Sequence, residues 1–76
     1  MKRRIKTGTL VVEKNDERPD IRYSLNEYYG GLHCGQTLEV FVNNRWQPTR
    51  LEKADDWYLV GIPTCSLNGL SVRIEV

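Results

Sequence analysis

His33 and Cys34 are adjacent, and a thiol beside an imidazole is the arrangement that activates cysteine nucleophiles. On an extended segment, however, neighbouring side chains point in opposite directions. A general base must come within about 3 Å of the thiol, and the chain contains no second histidine. We therefore predict no catalytic role for this pair and no enzymatic activity, and we expect Cys34 to be a small buried hydrophobic residue.

A metal site is not predicted either. His33, Cys34 and Cys65 provide three soft ligands at most, and the two cysteines lack the C-x₂-C spacing of structural zinc sites. Asp55 and Asp56 are the acids that would have to complete such a site, but they fall in a predicted tight turn, where aspartates commonly bond the local backbone. We expect neither a metal ion nor a cofactor.

Length and composition limit the fold to one small domain. A chain of 76 residues can bury a single small core, and its 39% hydrophobic and 28% charged residues are typical of a globular domain. Neither a membrane-spanning run nor the apolar region of a signal peptide is present, so we expect a cytoplasmic protein and no membrane partner. A reducing compartment favours free thiols, and a single Cys34–Cys65 bridge is the alternative.

The positive charge is concentrated at the start of the chain. Four of the eleven basic residues are Lys2, Arg3, Arg4 and Lys6, so the rest carries seven basic against ten acidic residues. We predict a flexible basic tail over residues 1–6 and one β-barrel domain over residues 7–76. Such a tail is either a solvated solubility segment or an arm that binds phosphates, whereas the slightly acidic body disfavours nucleic acid.

The first half of the domain predicts a hairpin followed by an irregular segment. Residues 7–14 are rich in β-branched residues, and residues 20–25 alternate with Ile21, Tyr23 and Leu25 on one side. These two strands flank a polar loop. Between Asn26 and Gln36 the periodicity is lost, and the glycines there predict backbone with positive φ rather than a phosphate-binding loop.

Asn43-Asn44 predicts a two-residue hairpin turn, because asparagine tolerates the left-handed conformation that such turns require. This turn would place Phe41 directly opposite Trp46. A second turn at residues 54–56 would pair Glu52 with Trp57. Alternation in that register assigns to the core the side chains of Leu38, Val40, Val42, Thr49, Leu51, Tyr58, Val60 and Ile62. It assigns to the opposite face Glu39, Phe41, Trp46, Pro48, Arg50, Trp57 and Leu59.

The end of the chain predicts one more strand. Pro63 ends the fifth strand, and residues 64–69 form a short connection with room for a single 3₁₀ turn. Residues 70–76 alternate regularly and are expected to pair with the first strand and close the barrel. The predicted fold is all-β, a single small barrel of five to six antiparallel strands.

Two resemblances accompany this pattern. The order of lead-in loop, two hairpins, one-turn 3₁₀ helix and last strand over residues 28–76 resembles the SH3-like small barrel. A second likeness lies in Tyr29-Gly30-Gly31-Leu32-His33-Cys34-Gly35, Leu38-Glu39-Val40, Trp46, Thr49-Arg50, Trp57-Tyr58-Leu59-Val60-Gly61 and Leu70. In these residues the chain resembles a family of short bacterial proteins classed as a domain of unknown function. The likeness covers nearly the whole chain after Lys6 and implies a bacterial, cytoplasmic setting, but no catalytic or binding residue.

The predicted outer face is the candidate binding surface. Phe41, Trp46 and Trp57 would form an aromatic platform with Arg50 and Glu39 beside it, which suits a protein or an extended peptide. The alternative is single-stranded nucleic acid, bound by base stacking and by the basic residues Lys2, Arg3, Arg4 and Lys6. Two further alternatives stay open: the platform is covered by another segment of the chain, or it mediates self-association.

Overall fold

The computed structural model describes residues 4–12, 18–63 and 66–76, and every regular element in these ranges is a β-strand. The strands are β1 Ile5–Val11, β2 Asp20–Ser24, β3 Glu27–Tyr28, β4 Thr37–Val42, β5 Arg45–Lys53, β6 Trp57–Leu59 and β7 Ser71–Glu75. The prediction of an all-β fold is confirmed.

The seven strands form one antiparallel sheet in the order β3-β2-β1-β7-β4-β5-β6. β1 pairs with β7, as predicted, from Ile5 opposite Glu75 to Thr9 opposite Ser71. This pair does not close a barrel, however, because it lies in the middle of the sheet, between the β2–β3 and β4–β5–β6 parts. In the described ranges the sheet is not closed, and its outermost strands are β3 and β6.

The N-terminal boundaries differ from those predicted. β1 begins at Ile5, so Ile5 and Lys6 belong to the sheet and not to a flexible tail. β2 ends at Ser24, and Leu25 lies exposed in the following turn instead of joining Ile21 and Tyr23 on the inner side. Residues 13–17, which include the end of the predicted first strand and most of the polar loop, lie outside the described residues.

The core is aliphatic and is built by alternation along the central strands. Its buried members are Leu10, Ile21, Leu32, Leu38, Val40, Leu51, Leu59, Val72 and Ile74. Leu32 is the one that comes from the irregular segment between β3 and β4, where its backbone N–H donates to the Pro19 carbonyl at 2.7 Å. A residue without strand periodicity thus completes the core.

The Asn43-Asn44 turn forms as predicted. Both asparagines have positive φ, 53° and 63°, the left-handed values that a two-residue hairpin turn requires. The β4–β5 register follows, with Leu38 opposite Thr49 and Phe41 opposite Trp46. This part of the predicted face assignment is confirmed.

The next hairpin is shifted by one residue from the prediction. Lys53 pairs with Trp57 and Leu51 with Leu59, because residues 54–56 form a three-residue loop in which the Ala54 N–H donates to the Asp56 carbonyl at 3.1 Å. The shift reverses the faces of β6: Leu59 is 2% exposed and Tyr58 is 45% exposed. Assigning Tyr58 and Val60 to the core, and Leu59 and Trp57 to the outer face, was therefore wrong.

The connection before β7 is a turn at Asn68-Gly69, in which the Leu70 N–H donates to the Leu67 carbonyl at 3.2 Å. The Asn68 side chain ties this turn to the end of β1, since its Oδ1 accepts the Val12 N–H at 2.9 Å. No 3₁₀ turn is present within residues 66–69. Thr64 and Cys65, where the predicted 3₁₀ turn begins, lie outside the described residues.

Gly8 allows β1 and β2 to approach closely. A Cβ at this position would lie 2.6 Å from both the Arg22 carbonyl oxygen and the Ile21 Cγ2, and 3.0 Å from the Tyr23 ring. The first contact is with backbone, which cannot move away without disturbing the ladder. The absence of a side chain at residue 8 is therefore a packing requirement of the β1–β2 pair.

We predict that Gly8→Ala lowers the free energy of unfolding by about 1–3 kcal/mol, the usual cost of overpacking, even though alanine suits a strand better than glycine. Thr7→Ala is the matched control, because Thr7 is exposed on the same strand and its loss should cost less than about 1 kcal/mol. Urea denaturation of both variants measures the difference. A Gly8→Ala variant as stable as the wild type would contradict the packing argument.

Candidate functional site

Trp46 is the centre of an aromatic pair on the outer face of the β4–β5 hairpin. Its ring centroid lies 5.2 Å from that of Phe41, and the two ring planes are inclined by 61° in an edge-to-face arrangement. The rings meet because the two-residue turn places these residues directly opposite each other. Phe41 is 41% exposed and Trp46 is half-buried, so the pair presents aromatic surface to solvent.

Arg73 of β7 completes this group from the neighbouring strand. Its guanidinium carbon lies 4.4 Å from the Trp46 ring centroid, within the range of a cation–π contact. Its Nε donates to Glu39 Oε1 at 2.7 Å, and Glu39 is its direct partner in the β4–β7 ladder. Glu39, Phe41, Trp46 and Arg73 together form what we call the outer cluster.

Sequence reasoning missed Arg73. The alternation of residues 70–76 does place it on the side opposite Val72 and Ile74, as observed. What no local pattern shows is that β7 inserts between β1 and β4, which brings Arg73 beside Glu39 and above Trp46. The prediction that β7 pairs with β1 identified one neighbour of β7 but not the other, which is β4.

Two members of the predicted binding face lie outside the outer cluster. The Arg50 Nε donates to Glu52 Oε2 at 2.6 Å, farther along β5. Trp57 is half-buried against the core, and the Lys53 amine lies 5.1 Å from its ring centroid. The difference at Trp57 follows from the β5–β6 register, which is shifted by one residue from the prediction.

A groove of about 310 Å³ lies beside the outer cluster. It lies at the β4–β7 pairing, which includes Glu39 opposite Arg73 and Val40 opposite Val72. Its lining is Ile5, Thr37, Leu38, Glu39, Pro48, Thr49, Arg73, Ile74 and Glu75. The groove is therefore mainly apolar, with acidic and basic groups at its rim, and it shares Glu39 and Arg73 with the outer cluster.

Cys34 is exposed and free, so the expectation of a buried thiol was wrong. Its Sγ donates to Glu52 Oε1 at 3.0 Å. This hydrogen bond, followed by the one from Arg50, holds the pKa of Glu52 below its ordinary value. The backbone links the same region, since the Gly35 N–H donates to the Leu51 carbonyl at 2.7 Å. Cys65 lies outside the described residues.

His33 contacts Arg18 and not Cys34. An Arg18 guanidinium nitrogen lies 3.1 Å from His33 Nδ1. Arginine has only donors, so Nδ1 must be the acceptor and the imidazole carries its proton on Nε2. A histidine held in this way is not positioned to take a proton from the neighbouring thiol. In the described part of the chain, no group of three or more His, Cys, Asp or Glu residues is arranged to hold a metal ion.

Of the four N-terminal basic residues, Lys2 and Arg3 lie outside the described residues and Arg4 is exposed. Lys6 is in β1, where its amine is 2.7 Å from Glu27 Oε2 and 4.4 Å from the Tyr23 ring centroid. Burial of Tyr23, followed by the nearby acidic groups, raises the pKa of its hydroxyl above the ordinary value.

Comparison with known proteins identifies the family. The model of a domain of unknown function, DUF5348, matches residues 8–74. The chain belongs to this family. The predicted resemblance to a family of unknown function is thereby confirmed, and no activity comes with it. The comparison with curated proteins found no match.

A crystal structure of a protein from Ruminococcus gnavus is similar to this chain. The two sequences are 48% identical, and the match covers 91% of this chain and 100% of that protein with a TM-score of 0.83. The crystal structure and this chain therefore share a fold. Across residues 4–12, 18–63 and 66–76, no helix has the length and apolar character needed to cross a membrane.

We predict that Cys34→Ala raises the pKa of Glu52 towards the value of an ordinary glutamate, because it removes the first of the hydrogen bonds that stabilise the carboxylate. Cys34→Ser is the control, since a hydroxyl keeps a donor at this position. An NMR titration of the Glu52 carboxyl carbon from neutral to acidic pH measures both.

The lowered pKa of Glu52 also makes the stability of the domain depend on pH. A carboxyl group whose pKa is lowered by folding stabilises the folded state at pH values above its unfolded-state pKa, and this stabilisation is lost as the pH falls through its folded-state pKa. Cys34→Ala should thus be destabilised relative to wild type at neutral pH and lose that difference in acid. Identical titration curves for wild type and Cys34→Ala would show that the thiol does not bond Glu52 in solution.

Proposed function

We propose that this domain is a non-enzymatic binding module that holds an extended peptide segment of a partner protein on its outer face. The observation that carries the proposal is the outer cluster: Arg73 lies over Trp46, Phe41 packs against the same ring, and an apolar groove begins at Glu39. Exposed aromatic rings beside a narrow apolar groove suit the recognition of extended peptides.

The charges at the groove favour a peptide over nucleic acid. Of the charged residues described in the groove lining, Glu39 and Glu75 are acidic and Arg73 is basic, and Arg73 is paired with Glu39. Phosphate groups would meet more negative than positive charge here, whereas apolar peptide side chains would meet Ile5 and Pro48. Trp46 would be the anchor of such an interface, since tryptophan and arginine dominate the energy of protein binding surfaces.

The proposal extends to the fold type and the compartment. We infer that the sheet is an open form of the SH3-like small barrel, a type supported by the succession of the β4–β5 and β5–β6 hairpins and the last strand β7. An exposed, free thiol at Cys34 suits a reducing compartment such as the cytoplasm.

A random peptide library displayed on phage provides the probe. Peptides selected on the wild-type domain should bind Trp46→Ala about tenfold or more weakly, because the variant loses the central ring of the cluster. Arg73→Lys should also weaken binding, since lysine keeps the charge but not the planar group that lies over Trp46. Calorimetric titration of the synthesised peptides measures the affinities.

Trp57→Phe is the matched control, because Trp57 packs against the core elsewhere and its replacement should leave peptide affinity unchanged. Circular dichroism shows whether Trp46→Ala still folds. Should it unfold, Phe41→Ala removes a more exposed ring from the same cluster and tests the same surface. Peptides that bind Trp46→Ala and Phe41→Ala as tightly as the wild type would overturn the proposal. Sedimentation at increasing concentration tests self-association through this face as the competing function.

A further inference from the structure

A second groove, of about 600 Å³, lies at the end of the β1–β2–β3 part of the sheet. Arg4 and Lys6, which contribute to it, alternate along the chain with Ile5, which lines the groove beside the outer cluster. The side chains of Arg4 and Lys6 therefore project from the face of β1 opposite to that of Ile5. The lining of this second groove is Arg4, Lys6, Tyr23, Tyr28, Tyr29, Gly30, Gly31, His33 and Val76. We call it the tyrosine groove.

The aromatic side chains of the tyrosine groove differ in exposure. Tyr28, on the outermost strand β3, is 49% exposed and presents ring surface to solvent. Tyr29 beside it is half-buried, and its hydroxyl accepts a hydrogen bond from Gln36 Nε2 at 2.6 Å. Both tyrosines line the groove, and Tyr28 is the one with accessible ring surface on which a planar ligand can stack.

The groove is also cationic. Arg4, Lys6 and Arg18 contribute three positive charges at or beside it, whereas Glu27, which bonds Lys6, and Asp20, which bonds Gly30 and Gly31, contribute two negative charges. The Arg18 guanidinium lies flat on Gly31, with its carbon 3.6 Å from where a Cβ would be, and it bonds His33. This balance is opposite in sign to that of the groove beside the outer cluster.

Asp20 holds the loop beside the groove in shape through hydrogen bonds to its backbone. Its Oδ1 accepts the backbone N–H groups of Ile21, Gly30 and Gly31 at 2.8, 3.0 and 2.9 Å. Both glycines have positive φ, 114° and 102°, so the backbone can turn there towards the carboxylate. The loop after β3, which carries Tyr29 and His33, is thus anchored before any ligand binds, which lowers the entropic cost of binding.

We propose that the tyrosine groove is a binding site for single-stranded nucleic acid, separate from the peptide surface. A base would stack on Tyr28, while the phosphates on either side of it would meet Arg4 and Arg18. The tyrosines favour this ligand over an acidic peptide, because a base offers a flat ring and an acidic side chain does not. DNA and RNA share this chemistry, so both are tested.

The test measures fluorescence anisotropy with labelled oligothymidylate and oligouridylate of about ten nucleotides, a length typical of one small β-domain. We expect both to bind at about 50 mM salt and to weaken steeply towards about 200 mM. Tyr28→Ala should weaken binding about tenfold, the value of one lost stacking contact, and Tyr28→Phe should not. Tighter binding of the uridylate would indicate RNA, and tighter binding of the thymidylate DNA.

Variants that remove single charges distinguish binding at the tyrosine groove from general electrostatic attraction of the nucleic acid to the protein surface. Arg4→Ala and Arg18→Ala should each reduce the slope of log affinity against log salt by about 0.7, the loss of one phosphate contact to a single strand. Arg45→Ala removes the same charge from an exposed position at the start of β5 and should leave the slope unchanged. Trp46→Ala should bind oligonucleotides normally, which keeps this test independent of the peptide surface.

Three results would overturn the proposal: no binding at about 50 mM salt, equal weakening by Arg45→Ala and Arg4→Ala, or normal binding by Tyr28→Ala. Duplex DNA and oligoglutamate serve as competitors. Because neither offers an unstacked base, each should compete poorly, and competition as strong as that of the single strand would also count against the site.

Discussion

The outer face of this domain depends on two asparagines in the left-handed conformation. Asn43 and Asn44 close the β4–β5 hairpin in two residues, and this length sets Phe41 opposite Trp46. A shift of one residue would turn both rings towards the core and bring the aliphatic side chains of the same strands to the surface. The aromatic pair is therefore a consequence of backbone conformation at the turn, before any side chain packs.

The central position of β1 and β7 gives the small sheet two chemically different surfaces. β7 brings Arg73 over Trp46 on one face, and β1 carries Ile5 to the same face and Arg4 and Lys6 to the other. Gly8 permits this arrangement, because the β1–β2 approach leaves no room for a side chain. A domain with so small a core can thus offer an apolar groove with mixed charges and a cationic, tyrosine-lined one.

Local patterns in the sequence were sufficient to predict the structure where a turn has a strict conformational requirement. The Asn43-Asn44 pair specified both the turn and the register of β4 and β5, and the alternation of residues 70–76 separated Val72 and Ile74, which are buried, from Arg73. The next hairpin could not be placed in the same way, because Ala54-Asp55-Asp56 is compatible with loops of different length. One extra residue in the assumed loop was enough to exchange Tyr58 with Leu59.

The features that sequence reasoning missed depend on contacts between residues that are far apart in the sequence. Arg73 joins Trp46 only because β7 lies next to β4, and the strand order of a sheet is not encoded in the period of any one strand. The tyrosine groove likewise depends on Asp20 binding the backbone of Gly30 and Gly31, ten and eleven residues away, within a segment without periodicity. Tyr28 of β3 and Leu32 of the loop after it both fall in this segment, yet Tyr28 is exposed and Leu32 completes the core.

The proposed role of the outer cluster as a peptide-binding surface is tested most directly by two-dimensional ¹H–¹⁵N NMR of the wild-type domain during titration with a selected peptide. We expect the backbone signals of Glu39, Phe41 and Arg73 and the indole N–H of Trp46 to shift together and to saturate at one affinity. Shifts confined to the Tyr28–His33 loop or to Trp57, with the Trp46 indole unchanged, would contradict it.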